Sequence, residues 1–313
     1  LETVFICIKE AAMRATMATL GVALVAFVAA GCSQDSTAHH ETGTATVVAS
    51  TDVWGSVASA VTGGHVTVKS ILNSAVDDPH SFEASPADAA EITDASLVVY
   101  NGGGYDHWVD DVLAGHPDVA TVDAYSLQTA TEQPANEHVF YDPGTAKAVA
   151  AKIADRLAQA DGAHADVYRA NAAEFGKQAD AILESERAIS KAHPGAAVVA
   201  TEPVAHYLLL NAGVTDRTPT GFANAAEEGD DPPPADVAAM LDLINSRQVS
   251  ALLVNPQTES AATKQIEDAA RSASVPIVTV TETLPEGIDY LTWQRQTVDQ
   301  LARQLDSAHQ ANR

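Results

Sequence analysis

The chain predicts an α/β fold of two parallel-sheet lobes joined by one long helix, and three observations carry that expectation. Short β-branched or aliphatic runs alternate with segments whose apolar residues recur at helical spacing, the pattern of parallel strands linked by right-handed helical crossovers. An unbroken helical stretch from about Ala163 to about Ala192 separates two such alternating regions. The length of 313 residues, with 46% hydrophobic and 19% charged, suits two ordinary soluble lobes.

In the first region Val47 to Ala49, Val66 to Leu72 and Leu97 to Tyr100 read as strands, and Val53 to Val61, Ala87 to Ile92 and His107 to Leu113 read as helices. Pro143 fits the first turn of a helix that continues to about Ala160, where Asp161-Gly162 break it. The long helix follows, with Val167, Tyr168, Ala170, Phe175, Ala179, Ile182, Leu183 and Ile189 as its apolar side. Roughly thirty residues at about 1.5 Å of rise each give a span of about 45 Å, enough to cross the molecule. It ends before His193-Pro194-Gly195. Alternation then resumes through Ala197 to Ala200, Val204 to Leu210, Val237 to Ile244, Ala251 to Val254, Thr263 to Ala270 and Ile277 to Val280, closing with a helix after Tyr290. No internal repeat is visible in the sequence.

The N-terminal region reads as an export signal. Lys9 and Arg14 precede an apolar run from Leu20 to Ala30, about half the length a bilayer span needs. Glu2 and Glu10 are unusual in such a segment, and a start at Met13 gives a cleaner signal. The run ends in Ala29-Ala30-Gly31-Cys32, which resembles the lipobox of bacterial lipoproteins and makes Cys32 the expected lipidation site, although Ala29 departs from the commoner Leu or Val. With Cys7 removed by the later start, Cys32 is the single cysteine and no internal disulfide forms. The organisation expected is a signal peptide over 1–31, a lipidated flexible tether over 32–45, an N-terminal lobe over 46–162, a linking helix over 163–192 and a C-terminal lobe over 193–313. His39-His40-Glu41 falls in the polar, small-residue tether and is read as solvated.

A formal net charge of -25 argues against nucleic acid or an anionic lipid surface as a partner, since both demand Lys and Arg. It suits a protein that gathers cations or simply stays soluble. Asn101-Gly102-Gly103-Gly104 lacks the Lys-Ser/Thr of a phosphate loop and reads as a tight turn under the cleft. Glu227-Glu228-Gly229-Asp230-Asp231-Pro232-Pro233-Pro234 reads as an exposed loop entering a helix.

Two stretches, Asp77-Asp78-Pro79-His80-Ser81-Phe82-Glu83 and Asn136-Glu137-His138-Val139-Phe140-Tyr141-Asp142-Pro143, each set one histidine in an acidic, proline-punctuated loop. Neutral imidazole is the commonest protein ligand for transition metals. Thr201-Glu202-Pro203 and Thr281-Glu282-Thr283 follow directly on β-branched runs. In open α/β sheets ligands bind outside the carboxyl ends of strands, and both glutamates lie within two residues of such an expected end. Singly, each is an ordinary polar residue at a loop edge; together, two imidazoles and two carboxylates make one candidate metal site.

The stretch from Asp78-Pro79-His80-Ser81-Phe82-Glu83 to Ala84-Ser85-Pro86-Ala87-Asp88, then Val98-Val99-Tyr100-Asn101-Gly102-Gly103-Gly104-Tyr105-Asp106, Asn136-Glu137-His138 and Val278-Thr279-Val280-Thr281-Glu282-Thr283-Leu284-Pro285, resembles the metal-receptor solute-binding proteins of zinc and manganese ABC transporters. The resemblance implies two lobes with the metal in the cleft between them. It places His80 and His138 at the family's two N-lobe histidine positions, Glu202 at a position that is His or Glu among relatives, and Glu282 where Asp is usual. It implies an extracytoplasmic, lipid-anchored monomer that delivers Zn2+ or Mn2+ to an ABC permease and its ATPase. His206, four residues after Glu202, is the alternative third ligand; Glu202 is favoured because it sits at the strand end. Gln257 is a candidate outer hydrogen-bonding residue. His65, His116, His164 and His193 are read as solvated.

Two imidazoles and two carboxylates form a harder site than three histidines, which shifts relative preference towards manganese and lets bidentate carboxylates raise the coordination number, while zinc still binds tightly. The rival readings are a zinc metallohydrolase and a surface adhesin whose metal is incidental. No His-Glu-x-x-His stands in the sequence, and no acid or base is evident beyond the proposed ligands.

Overall fold

Val47, Val48 and Ala49 are all buried because β1 (Thr46–Thr51) lies inside a sheet covered on both faces. Side chains alternate along a strand, so Val47 and Ala49 join one apolar cluster and Val48 another. Burial on both faces removes any need for polar alternation and leaves a continuous apolar run. In this computed structural model, which describes residues 45–73, 79–128 and 136–311, β1 lies between β2 (Thr67–Leu72) and β3 (Leu97–Tyr100), and β4 (Thr121–Asp123) follows β3. All pairings are parallel. The second sheet sets β5 (Ala197–Ala200) between β6 (Thr215–Asp216) and β7 (Ala251–Val254), with β8 (Ile277–Thr279) outside β7, again all parallel. The two orders, 2-1-3-4 and 6-5-7-8, are the same topology. The fold therefore repeats where the sequence shows no repeat.

Helices cover each sheet on both sides. On the outer face of the first sheet, α2 (Pro86–Asp94) and α3 (His107–Leu113) bring Ile92, Trp108 and Val109 against Val48 and Val98. On the outer face of the second, α7 (Thr220–Glu227), α8 (Pro234–Asn245) and α9 (Ala261–Ala273) bring Phe222, Met240 and Ile266 against Val199 and Leu252. The inner faces share one core. It runs from α1 (Asp52–Thr62) and α4 (Pro143–Ala160) across α5 (Ala165–Ala192) to α6 (His206–Asn211) and α10 (Tyr290–Ala311).

The linking helix α5 buries Tyr168, Ala172, Phe175, Ala179, Ile182, Glu186 and Ile189, a stripe of alternating four- and three-residue steps. Val167 and Ala170, expected on that side, fall outside the stripe and are exposed, and the helix begins at Ala165 rather than Ala163. Glu186 occupies a stripe position where an apolar residue is expected. β4, β6 and α7 were not anticipated; the two strands are only three and two residues long, too short to show a period. The segment from Val204 to Leu210 is one turn, Pro203–Ala205, followed by α6.

Hydrogen bonds also cross between the lobes. The Tyr141 hydroxyl donates to Thr281 O and accepts from Thr281 N, Leu284 N donates to the Asp52 carboxylate, and Tyr290 N donates to Ser56 Oγ. The segment carrying Glu282 is thus held against the N-terminal lobe. The described residues all fall in one compact unit, Gly43–Arg313. Cys32, the signal region, the tether up to residue 44, and Asp77-Asp78 lie outside the described residues. Among the described residues no helix is long and apolar enough to cross a membrane.

Candidate metal centre

Each of the four polar residues comes from the carboxyl-terminal side of a sheet. His80 is in the single turn Pro79–Ser81 after β2, and Ser85, capping α2 reciprocally with Asp88, fixes the chain beyond it. His138 precedes the turn Val139–Tyr141 and the Asp142 cap of α4, whose carboxylate accepts from Gly144 N and Thr145 N. Glu202 stands two residues beyond β5 and Glu282 three beyond β8, one more than the sequence suggested. One ligand atom from each of these four residues lies within 4.8 Å of every other.

The inner distances are short. His80 Nε2 is 3.2 Å from Glu282 Oε2 and 3.9 Å from Glu202 Oε1, and His138 Nε2 is 3.7 Å from Glu282 Oε2. A tetrahedral shell with bonds of about 2.1 Å has edges of about 3.4 Å, so these separations are close to what one cation would draw together. His138, Glu202 and Glu282 are fully buried. His138 Nε2 and Glu202 Oε1 make no hydrogen bond among the described residues. Buried polar atoms are normally paired, and those left over call for a partner of another kind.

The remaining polar atoms are held firmly. Asn255, directly after β7, donates through Nδ2 to Glu202 Oε2 at 2.7 Å and to Glu282 Oε1 at 2.8 Å, while its Oδ1 accepts from Gln257 N. Thr258 Oγ1 adds a donor to Glu202 Oε2 at 2.8 Å. Each carboxylate is thereby pinned by one oxygen and aims the other inward. Gln257 Oε1 accepts from Glu282 N at 2.7 Å and its amide donates to Thr283 Oγ1, so it orients the Glu282 backbone. His138 Nδ1 is 3.0 Å from Asn136 Oδ1. Asn136 Oδ1 also accepts from His138 N, and Asn136 Nδ2 faces the Glu227 carboxylate at 3.2 Å, which fixes the orientation of the amide. The proton therefore sits on Nδ1, and Nε2 presents its lone pair.

On the N-terminal side Asn101, directly after β3, holds the histidine loop by donating to Glu137 O at 2.8 Å, and its Oδ1 accepts from Trp54. The glycine turn beyond it needs positive φ at Gly102, Gly103 and Gly104, and the Asp106 carboxylate accepts from Asn101 N and Gly102 N. That turn delivers Tyr105, whose ring packs edge-on against His80 and His138 with centroids 5.0 and 5.8 Å away.

The charges are strongly coupled. Burial pushes Glu202 up, and the nearby Glu282 charge pushes the same way, to about 7. Burial also raises Glu282, but the facing His138 and His80 imidazoles, with His80 Nε2 at 3.2 Å, outweigh it and hold the carboxyl down at about 2. For His80, burial disfavours the charged ring, yet Glu282 first and then Glu137 and Glu202 raise it to about 9. Without a cation, the cluster balances its negative charge with a proton on imidazole.

His206 is the first residue of α6 and lies outside the four-residue cluster. The acidic segment after α7 is exposed, and Glu227, Glu228, Asp230 and Asp231 line the cavity of about 470 Å³ that His80 and Glu202 also line. The peripheral histidines are not all simply solvated: His65 stacks on His164 with centroids 4.2 Å apart, and His193 Nε2 is 3.3 Å from Asp306. Asn255, Thr258, Asn136, Asn101 and Tyr105 were missed as supporting residues. The only sequence signal for two of them is an asparagine immediately after a buried strand.

A family model described as zinc-uptake complex component A, periplasmic, matches residues 47–304. The manganese-binding lipoprotein MntA of Bacillus subtilis is 24% identical over 269 residues, covering 80% of this chain and 83% of that protein. Its namesake from Halalkalibacterium halodurans is 27% identical over 158 residues, covering 48% of this chain, so the match spans 52% of that relative. Among solved structures, the periplasmic zinc-binding protein TroA from Treponema pallidum aligns with a TM-score of 0.72 at 16% identity, over 84% of this chain and 99% of that one.

Proposed function

The chain belongs to the zinc-uptake complex component A family, and from that premise we propose that it captures one divalent transition-metal ion, zinc or manganese, between its lobes and delivers it to the permease of an ABC importer. The ligands in this reading are His80, His138, Glu202 and Glu282. The observation that carries it is the convergence of four donor atoms within 4.8 Å of one another, with each carboxylate pinned by Asn255 so that its other oxygen faces the imidazoles.

Because Glu202 Oε2 and Glu282 Oε1 are engaged by Asn255, each carboxylate is read as a one-oxygen ligand, giving a four-coordinate N2O2 shell. This revises the higher coordination number that bidentate carboxylates would allow and makes the shell geometrically comfortable for zinc. Manganese binds more weakly at such a site, so the physiological cargo follows from availability as much as affinity. His80→Ala or His138→Ala removes one imidazole, and affinity for zinc falls at least about tenfold, or about 1.4 kcal/mol, by calorimetry. Wild-type affinity in both variants would overturn the ligand set.

The same reading anchors the protein outside the cytoplasm by a lipid on Cys32 and keeps it monomeric. The two MntA relatives are named lipoproteins, and Cys32 ends an apolar run at small residues. Cys32→Ala moves the protein from the membrane fraction to the medium or leaves it unprocessed; normal processing with an unchanged membrane fraction would remove the anchor from the proposal.

A further inference from the structure

We propose that Asn136 is a positioning residue that ties the aim of His138 to the contact between the lobes. The inference rests on the metal-capture reading above and extends it to how the loaded state is held. One side of the Asn136 amide serves His138: Oδ1 accepts from the backbone N at 2.9 Å and faces Nδ1 at 3.0 Å. The other side reaches the C-terminal lobe, where Nδ2 is 3.2 Å from Glu227 Oε1 at the end of α7. The backbone of Asn136 is gripped from the same lobe, since the Tyr207 hydroxyl on α6 donates to Asn136 O at 2.7 Å and accepts from Asn136 N at 3.3 Å.

A histidine ligand needs its non-ligating nitrogen protonated and its ring direction fixed, and a hydrogen-bond acceptor on that nitrogen does both. Here the acceptor is itself held by α6 and α7. When the lobes separate, Asn136 loses Glu227 and Tyr207, and the imidazole loses a rigid support. Closure and the productive orientation of His138 are then one event, which makes metal release faster from an opened molecule than from a closed one. Glu227 also lines the cavity leading to the cluster and, with Glu137 and His138, offers ligand atoms within 4.8 Å of one another, so the alternative role for it is direct capture of the incoming cation.

The test uses the full chain. In the zinc-free protein, long-range 1H–15N NMR reads the His138 tautomer: the wild type and Asn136→Asp show the proton on Nδ1, because a carboxylate oxygen accepts as the amide oxygen does, whereas Asn136→Ala shows both tautomers. A single Nδ1 tautomer in Asn136→Ala overturns the proposal whether or not the protein binds metal. Zinc affinity falls about 10- to 100-fold in Asn136→Ala, the usual effect of losing such a support. Stopped-flow transfer of zinc to excess chelator separates the two roles of Glu227. Glu227→Ala breaks the contact to Asn136 and speeds release several-fold, while Glu227→Gln keeps an acceptor and releases zinc at the wild-type rate. Slower zinc association in both Glu227 variants with unchanged release would make Glu227 a capture group and overturn the latch. Failure of the wild type to bind zinc or manganese would instead overturn the metal-capture reading, leaving the tautomer result to decide the role of Asn136.

Discussion

A single amide, Asn255, sets the chemistry of two carboxylates. By donating to both Glu202 and Glu282 it holds two carboxylates together in a buried place; burial first, and then the nearby Glu282 charge, raise the Glu202 carboxyl, and the same carboxylates retain a proton on His80. In the proposed reading a cation entering the cluster takes over the role of that proton. At pH 7 His80, raised to about 9, is protonated before binding, and zinc must displace the proton to use Nε2. Calorimetry in buffers of different ionisation enthalpy should therefore show release of at least about one proton per zinc at pH 7, and affinity should fall as pH drops from 9 towards 6. No proton release would contradict the assigned charge state. For the metal-free fold the sign is fixed by the same shift. His80 lies above its unfolded value of 6.5, so its contribution to stability is fully present below that pH and is lost as pH rises through about 9.

At the scale of the element, α5 carries the connection between lobes on a regular apolar stripe with one exception. Glu186 is 0% exposed at a stripe position, and burial first, with the Asp142 charge adding to it, raises its carboxyl to about 9; neither of its oxygens makes a hydrogen bond among the described residues. It is neutral at pH 7 and behaves there as a polar filler between α5 and α6. Since its folded value exceeds the unfolded 4.5, its neutral form favours folding fully below pH 4.5, and that contribution is lost as pH rises through 9. Glu186→Gln keeps the shape of the side chain without a titrating group. Melting temperature measured from pH 6 to 9.5 should decline less in Glu186→Gln than in the wild type; parallel curves would show that Glu186 ionises without consequence.

In the whole molecule, two sheets of the same topology present their carboxyl ends to one cleft. The asparagines directly after β3 and β7 occupy matching places: Asn101 holds the His138 loop and Asn255 holds both glutamates. Glu282 is bracketed by Tyr141–Thr281 and Asp52–Leu284 hydrogen bonds to the N-terminal lobe, whereas among the described residues the side-chain hydrogen bonds to the Glu202 carboxylate come from Asn255 and Thr258 of its own lobe. In the proposed reading Glu202 is then the ligand that ties the C-terminal lobe to the metal. A ligand that binds only the folded state stabilises it by mass action. Glu202→Ala should reduce the zinc-induced rise in melting temperature and slow metal uptake by cells more than His206→Ala does. The reverse ranking would transfer the third position to His206.

Local residue choice determined a large part of this protein. Apolar β-branched runs fixed β1, β3, β5 and β7 because strands buried on both faces tolerate little else, and Ser85-Pro86 and Asp142-Pro143 fixed helix starts because their side chains satisfy free backbone donors. Histidines in acidic loops and glutamates at strand ends could be named one by one as candidate ligands. Only the tertiary structure decided that they meet. Asn255 reaches Glu202 across 53 residues and Glu282 across 27, and Asn136 reaches Glu227 across 91. No periodicity records such pairs, because they exist only once separate strands deliver their ends to the same cleft. The two-residue strand β6 and the buried Glu186 escaped notice for the same reason: their stability comes from neighbours distant in sequence, and their own residues carry no signal of it.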